Sequence, residues 1–319
     1  MALSVRATLA NCKNKAAGTV SLRQDVFEAI PVYSTNSALS LRAQLKFLAG
    51  HCGIVGPNGQ IARGLWMNDT APLFPILSDI KKFQNFLDFA RKNFVNTLYL
   101  PLQPFNPSVA LAAPGIIQMA CNAPYFMSVE LVYGNDASAV LDSVADRQAA
   151  EKWISDTVLT VKVATGANPV AIQIDVEPWT DPSAPQQWFE QFITMLSNLR
   201  PSINATGMKL TVAVAQGCKS IPITSMGNML LSDWIQEHSD RVLLMDYFAD
   251  LDTIKKFAAD WIGSAKQERS VTIGVQPKNL LISTAAGVDD LLTKVAQPFA
   301  DASGYAGVAV WVYEEYPTI

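Results

Sequence analysis

From about residue 62 onward, short apolar runs alternate with longer stretches in which apolar residues recur at helical spacing. The runs are Ala62–Trp66, Val95–Pro101, Met127–Tyr133, Val170–Asp175, Lys209–Ala215, Val242–Met245, Ser270–Val275 and Gly307–Val312. Between them, Ile80–Asn93 sets Phe83, Phe86, Leu87 and Ala90 on one face, and Arg147–Val163 is similarly periodic. Gln186–Leu199 carries Trp188, Phe189, Phe192 and Leu196, and Thr253–Ala265 carries Ile254, Phe257, Ala258 and Trp261. Strands that are apolar on both faces belong to parallel sheets covered by helices, and eight such units in roughly 260 residues match a closed (β/α)8 TIM barrel. A doubly wound sheet also alternates, but no Gly-x-Gly-x-x-Gly follows the first strand. The expected fold is therefore α/β, a (β/α)8 barrel over residues 61–319. Residues 1–60 break the alternation. They are expected to form an N-terminal extension, with a helix near Ala38–Ala49 and loop punctuation at Gly53–Gly59.

Composition narrows the classes of function. Half of the 319 residues are hydrophobic and 16% are charged, which is the balance of a globular chain. The formal net charge is −4, and no basic block exceeds the pairs Lys81-Lys82 and Lys255-Lys256, so no nucleic-acid partner is expected. No apolar run approaches the ~20 residues of a bilayer span, so no membrane partner is expected either. Arg6, Lys13 and Lys15 stand near the N-terminus without the continuous apolar stretch of a secretory signal. This fits a cytoplasmic chain, one exported by another route, or one written without its leader. Cys12, Cys52, Cys121 and Cys218 form no Cys-x-x-Cys, and His51 and His238 are the only histidines, so a zinc site is poorly supplied. No cofactor motif is present, and none is expected.

The fourth run and its continuation read Ala-Ile-Gln-Ile-Asp-Val-Glu-Pro-Trp over residues 171–179. Alternate residues of a strand share a face, so Gln173, Asp175 and Glu177 project together. Carboxylates buried side by side are costly unless hydrogen-bonded or used, and each raises the other's pKa. One acid holding its proton near neutral pH is what protonation of a leaving oxygen needs, as in glycoside hydrolysis. The plainer reading is a polar strand end facing water. In a barrel of this type, however, active sites lie at the C-terminal strand ends. Trp66 and Asp69, Tyr247 after Leu-Leu-Met, Gln276 after Ile-Gly-Val, and Trp311 all fall at such ends, and Trp179 lies two residues beyond Glu177. Flat aromatic faces with carboxylates suit a sugar. Trp153, Trp188, Trp234 and Trp261 lie at apolar spacing in helical stretches and are expected to pack helix against barrel, and Glu130 is expected to face inward.

These motifs, in this order, resemble those of the family 18 glycoside hydrolases, the group of chitinases and endo-β-N-acetylglucosaminidases. That family's fourth strand reads Asp-x-x-Asp-x-Asp-x-Glu, and the same frame here holds Val170, Gln173, Asp175 and Glu177. Its sixth strand carries Met-x-Tyr-Asp, matched by Met245, Asp246 and Tyr247, with Phe248 in place of the final Asp. Gly274-Val275-Gln276-Pro277 is loosely similar to the Gly-x-Pro of its seventh strand, and Trp311 stands where its eighth ends in a Trp. The resemblance implies Glu177 as acid and then base, Asp175 as the carboxylate orienting a substrate acetamido group, and Tyr247 as a hydroxyl donor to its carbonyl. It also implies Trp311 as the floor beneath the sugar, with Gln173, Met245, Trp66, Gln276 and Trp179 around the substrate, which would be an oligo- or polysaccharide.

Four other readings compete, one of them a lysozyme-like muramidase barrel, which also uses Asp-x-Glu at strand 4. Glu177-Pro178 also fits the Asn-Glu-Pro of a large retaining clan, but that clan needs a Glu ending strand 7, where Val275-Gln276-Pro277 has none; Glu314 and Glu315 come after strand 8. A non-catalytic carbohydrate-binding barrel, lectin- or inhibitor-like, is favoured by Val170, Gln173 and Phe248 and opposed by the retained Glu177. An aldolase-like barrel needs a lysine at a strand's C-terminal end, whereas Lys209 begins its strand and Lys278 follows a proline.

Overall fold

The computed structural model describes residues 62–68, 74–109, 111–113, 115–122, 124–125, 127–165 and 170–313. The expected extension over residues 1–60, with its helix near Ala38–Ala49, lies outside the described residues, as do Asp69, Glu314 and Glu315.

Eight parallel strands close into a barrel. They are β1 (Ala62–Trp66), β2 (Thr97–Pro101), β3 (Ser128–Gly134), β4 (Val170–Asp175), β5 (Lys209–Val214), β8 (Arg241–Met245), β9 (Val271–Val275) and β10 (Tyr305–Val310). The order around the barrel is β1-β10-β9-β8-β5-β4-β3-β2, so the chain's first and last barrel strands pair, with Ala62 opposite Gly307 and Leu65 opposite Val310. The numbering gap holds a short antiparallel hairpin after β5, β6 (Pro222–Ile223) with β7 (Met229–Leu230), which the apolar pattern does not announce.

The connecting helices are α1 (Ile80–Lys92), α2 (Ile116–Cys121), α3 (Ala137–Leu141), α4 (Val144–Thr165), α5 (Gln186–Ala205), α6 (Leu231–His238), α7 (Leu251–Gly263) and α8 (Ala285–Ala296). Their starts follow capping chemistry. Asp79 accepts from the Lys81 and Lys82 amides at 2.9 and 3.1 Å, and Thr284 accepts from the Gly287 amide at 3.0 Å. In α1, Phe83, Phe86, Leu87 and Ala90 are buried on the barrel side, as their spacing predicts. Helix α5 runs past the predicted end at Leu199 and includes Pro201, and Ile203 beyond the proline is still buried.

The barrel wall separates two apolar layers. Outward-facing residues such as Leu65, Leu98, Leu131, Ile172, Val212, Ile273 and Val308 pack beneath the helices. Trp261 is fully buried in this layer and Trp188 nearly so, while Trp153 and Trp234 pack against it partly covered, which is the structural role their spacing predicts. Each fully buried large apolar side chain contributes ~1.5–3 kcal/mol. The inward layer is smaller: Trp66, Tyr99, Val132, Ala213, Leu243 and Ala309, with Val312. An eight-stranded barrel is just wide enough for side chains to fill its interior.

Polar residues share that interior. Glu130, 5% exposed, faces inward as expected; it accepts from Thr211 Oγ1 at 3.0 Å and faces Arg241 Nη1 at 3.4 Å. Burial pushes the Glu130 pKa up, and Arg241 and Thr211 pull it back. Room for the large inward rings comes from glycines. A Cβ on Gly64 would lie 2.5 Å from the Tyr99 ring, and one on Gly274 would lie 2.6 Å from the Leu244 carbonyl oxygen and 3.0 Å from Leu243 Cδ2. Backbone cannot yield as a flexible side-chain tip can, so Gly274→Ala is expected to lower stability by about 1–3 kcal/mol. A thermal melt checks this, and an unchanged midpoint would mean that β8 and β9 are looser than their register implies.

Candidate functional site

Strand β4 places the site. Its outward residues Ile172, Ile174 and Val176 are fully buried under the helices, which fixes the opposite parity of Gln173, Asp175 and Glu177 toward the barrel axis. Gln173 is fully buried, whereas Asp175 and Glu177 sit half-buried where the strand opens into its C-terminal loop. Among the described residues, neither the amide nitrogen nor the amide oxygen of Gln173 has a hydrogen-bond partner, and the buried Asp175 Oδ1 has none either.

Strand β8 brings the complementary donor. Met245 packs with the inward apolar layer, and Tyr247, two residues on, has its phenolic oxygen buried without a partner. Burial, followed by the nearby carboxyls of Asp175, Glu177 and Asp246 and the Tyr99 phenol, drives the Tyr247 pKa well above its ordinary value, so it stays a neutral donor. Asn279 Nδ2 donates to the Tyr247 carbonyl at 2.7 Å and ties the loop after β9 to this strand end.

An aromatic chain lines the same mouth. Tyr99 and Trp66 centroids lie 4.9 Å apart, Trp66 meets Trp311 edge-on at 4.9 Å, and Trp311 tilts against Tyr247 at 5.7 Å. Trp66 and Tyr99 are buried, which leaves the half-buried Trp311 as the exposed member of that pair of indoles. The Trp311 amide donates to the Val275 carbonyl at 2.8 Å, beside the half-buried Gln276 at the end of β9. Trp179 Nε1 donates to Glu177 Oε2 at 3.3 Å, and its ring packs edge-to-face with Phe192 at 5.6 Å.

Charge placement follows burial. Asp175 has its pKa raised to about 7, first by desolvation and then by Glu177. Glu177 is also raised by burial, and the Trp179 N–H partly offsets this. The pair therefore holds a proton near neutral pH, with Asp175 the more deeply placed acid.

Of the predicted residues, Asp175, Glu177 and Tyr247 share one electrostatic environment, and Trp66, Met245 and Trp311 form the packed wall beside them. Gln173 lies one layer below. Phe248, where the resembling family has Asp, packs on Phe257 with centroids 4.9 Å apart. Two groups were not singled out from sequence. Tyr99 sits inside an apolar strand and gives no sign of its inward direction. Asp246, 1% exposed, has its Oδ2 buried and unpartnered and its pKa raised to about 7 by burial. An acid at a strand end ordinarily faces water, so only its place between two inward residues could have marked it. Both cysteines among the described residues, Cys121 and Cys218, are free thiols, and burial pushes the pKa of each up.

No protein-family profile matches the sequence, and no curated protein sequence does. Solved structures share the fold. A chitinase from Chromobacterium violaceum aligns over 80% of this chain and 95% of its own at 12% identity and a TM-score of 0.50. A GH18 chitinase from Pseudoalteromonas aurantia aligns over 79% and 94% at 11% identity, with the same TM-score of 0.50. The spore cortex-lytic enzyme SleL of Bacillus megaterium aligns over 81% and 72% at 10% identity, again with a TM-score of 0.50. The chain thus shares its barrel fold with these enzymes.

Asp246 carries a consequence for stability. Its folded-state pKa of about 7 lies above the ordinary carboxylate value, so between roughly pH 4 and 7 the folded chain keeps a proton that the unfolded chain releases. Stability falls as pH rises through that window, and Asp175 contributes with the same sign. Asp246→Asn is expected to flatten the decline, melting above the wild type at about pH 8 with the gap closing toward pH 4. Melting curves that stay parallel across that range would show that Asp246 is ionised in the fold at low cost.

Proposed function

We propose that this chain is a divergent family 18 glycoside hydrolase that cleaves β-linked N-acetylhexosamine glycans, chitin-like in class, with retention of configuration. The observation that carries the reading is the meeting of two unmatched buried groups beside Glu177. Asp175 Oδ1 lacks a donor and the Tyr247 hydroxyl lacks an acceptor. An acetamido group supplies both, its N–H to the carboxylate and its carbonyl oxygen to the phenol. Leaving such groups unmatched costs about 1–3 kcal/mol each, and a ligand that pairs them recovers it. The shared fold with chitinases supports the substrate class.

In this reading Glu177 gives its proton to the glycosidic oxygen as the bond to the anomeric carbon breaks, and the bonding pair leaves with that oxygen. The acetamido carbonyl oxygen attacks the same carbon from the opposite face and closes an oxazolinium ring. Asp175 holds the ring N–H and offsets its positive charge, while Tyr247 steadies the reacting oxygen. Water then attacks the anomeric carbon as the ring's C–O bond breaks and its electron pair returns to the acetamido oxygen, and the water gives its proton to Glu177, which restores the acid. Two inversions leave the configuration retained. No protein nucleophile is needed, in contrast with the usual two-carboxylate arrangement. Trp311 lies flat beneath the sugar, with Trp66 fixing its edge.

Glu177→Gln is expected to lower kcat by about 10²–10⁴-fold with binding of chito-oligosaccharides nearly intact, because the amide keeps the shape and loses the proton. Asp175→Asn is expected to cost less, since it still accepts the N–H but cannot offset the ring charge. An otherwise identical glycan lacking the acetamido group should not turn over. Steady-state assays with product anomer analysis test all three. Binding of chito-oligosaccharide without cleavage at any pH between mildly acidic and mildly alkaline would make the protein a carbohydrate-binding barrel. Equal cleavage of unacetylated sugars would move the nucleophile onto a protein carboxylate.

A further inference from the structure

We infer that Trp179 is a positioning residue for Glu177, favouring Oε1 as the carboxyl oxygen that carries the proton. The inference rests on the reading of Glu177 as the acid, but its geometry stands apart from any substrate. Trp179 Nε1 points at Glu177 Oε2 at 3.3 Å. An indole N–H can only donate, and it pairs best with the carboxyl oxygen that bears no proton, the stronger acceptor. The proton of the neutral acid is thereby favoured on Oε1, and the ionised form is favoured relative to a carboxyl without that donor.

The indole is held so that it can perform this task. Its ring stands edge-to-face on Phe192, which is fully buried in α5. The backbone between the two residues is closed as well. Pro178 begins a 3-10 turn over Pro178–Thr180, the Thr180 amide donates to the Glu177 carbonyl at 3.2 Å, and Thr180 Oγ1 donates to the same carbonyl at 2.7 Å. Acid and indole therefore move as one unit.

The other ionisable groups near Glu177 are Asp175 on its own strand, Tyr247 at the end of β8, and Cys218 in the turn after β5, with Lys219 beyond it. Tyr247 and Cys218 have pKa values raised by burial, so Asp175 is the partner whose charge changes together with that of Glu177.

Trp179→Phe keeps an aromatic ring against Phe192 and removes only the N–H. In the catalytic assay, the alkaline limb of kcat/KM is expected to move to higher pH, because Glu177 loses the donor that favoured its ionised form. At the optimum kcat should fall several-fold with KM little changed. A purely structural role would lower kcat without moving the limb, and a platform role would raise KM; either result overturns the inference. Two measurements do not depend on turnover. Carbon-13 NMR titration of Glu177, assigned with Glu177→Gln, should give a higher midpoint in Trp179→Phe than in the wild type. In the unsubstituted protein, the Trp179 indole N–H resonance should titrate with Glu177, and this movement should vanish in Glu177→Gln. If the indole resonance ignores Glu177, the inference fails even should Trp179→Phe not fold. If the titrations behave as expected while the wild type cleaves no acetamido sugar, the positioning role stands and the hydrolase reading falls.

Discussion

A closed parallel barrel has no surplus space, and every polar side chain that its strand parity turns inward must find a partner inside or at the mouth. Toward the strand starts the match is made. Glu130 faces Arg241 and accepts from Thr211, so a buried charge is paired and hydrogen-bonded within the wall. Toward the strand ends it is not. Gln173, Asp175 and Tyr247 reach inward with nitrogen and oxygen atoms that no partner among the described residues satisfies. The same chain and strand alternation thus pair the charges of one polar layer and leave the other open. The open layer lies at the end where barrels of this type bind their ligands.

The cost of that open layer appears as displaced protonation. Two carboxyls withdrawn from water beside each other cannot both ionise freely at neutral pH, and the deeper one, Asp175, takes the larger displacement. Tyr247 is held neutral by the same environment. In the proposed function, a ligand with an amide meets all three: a proton held on an acid, a donor on a phenol and an unmet acceptor beside them. Stability relinquished at the mouth is offset by the two apolar layers, where Trp66, Tyr99 and Leu243 fill the interior and the helices cover the outer face.

Much of this was legible in the chain because barrels obey strict parity. The apolar runs mark the strands to within two residues, and the order Gln173, Asp175, Glu177 with Tyr247 and Trp311 at later strand ends marks the mouth. What escaped has physical reasons. Helix α8 has a regular buried set in Val288, Leu291, Leu292 and Val295, but Gly287 in its first turn and the Ser283-Thr284 before it look like loop. Pro201 ends a helix on propensity, yet α5 continues because Ile203 has a buried place to occupy. The β6–β7 hairpin pairs two residues with two, too few for any periodicity. Tyr99 and Asp246 differ from their neighbours only in direction and burial, and both are tertiary properties. The sequence places Trp179 two residues beyond Glu177 and near the substrate, and only the structure shows its contacts with Glu177 and Phe192.

Gln173 is the departure from the resembling family with the most direct electrostatic effect. A third carboxyl beneath Asp175 would add another charge to a volume that already raises both acids, and its proton could pass to Asp175. The amide removes that charge while keeping a donor and an acceptor at the same depth. It cannot exchange a proton, so the protonation of Asp175 is set by burial and Glu177 alone. At Phe248 the lost acid is replaced by an aromatic contact with Phe257, outside the polar layer altogether. Both differences reduce the charge around the mouth and leave in place the groups on which the proposed substrate-assisted hydrolysis rests: one acid with a movable proton, one carboxyl to meet an amide N–H, and one neutral hydroxyl to meet its carbonyl.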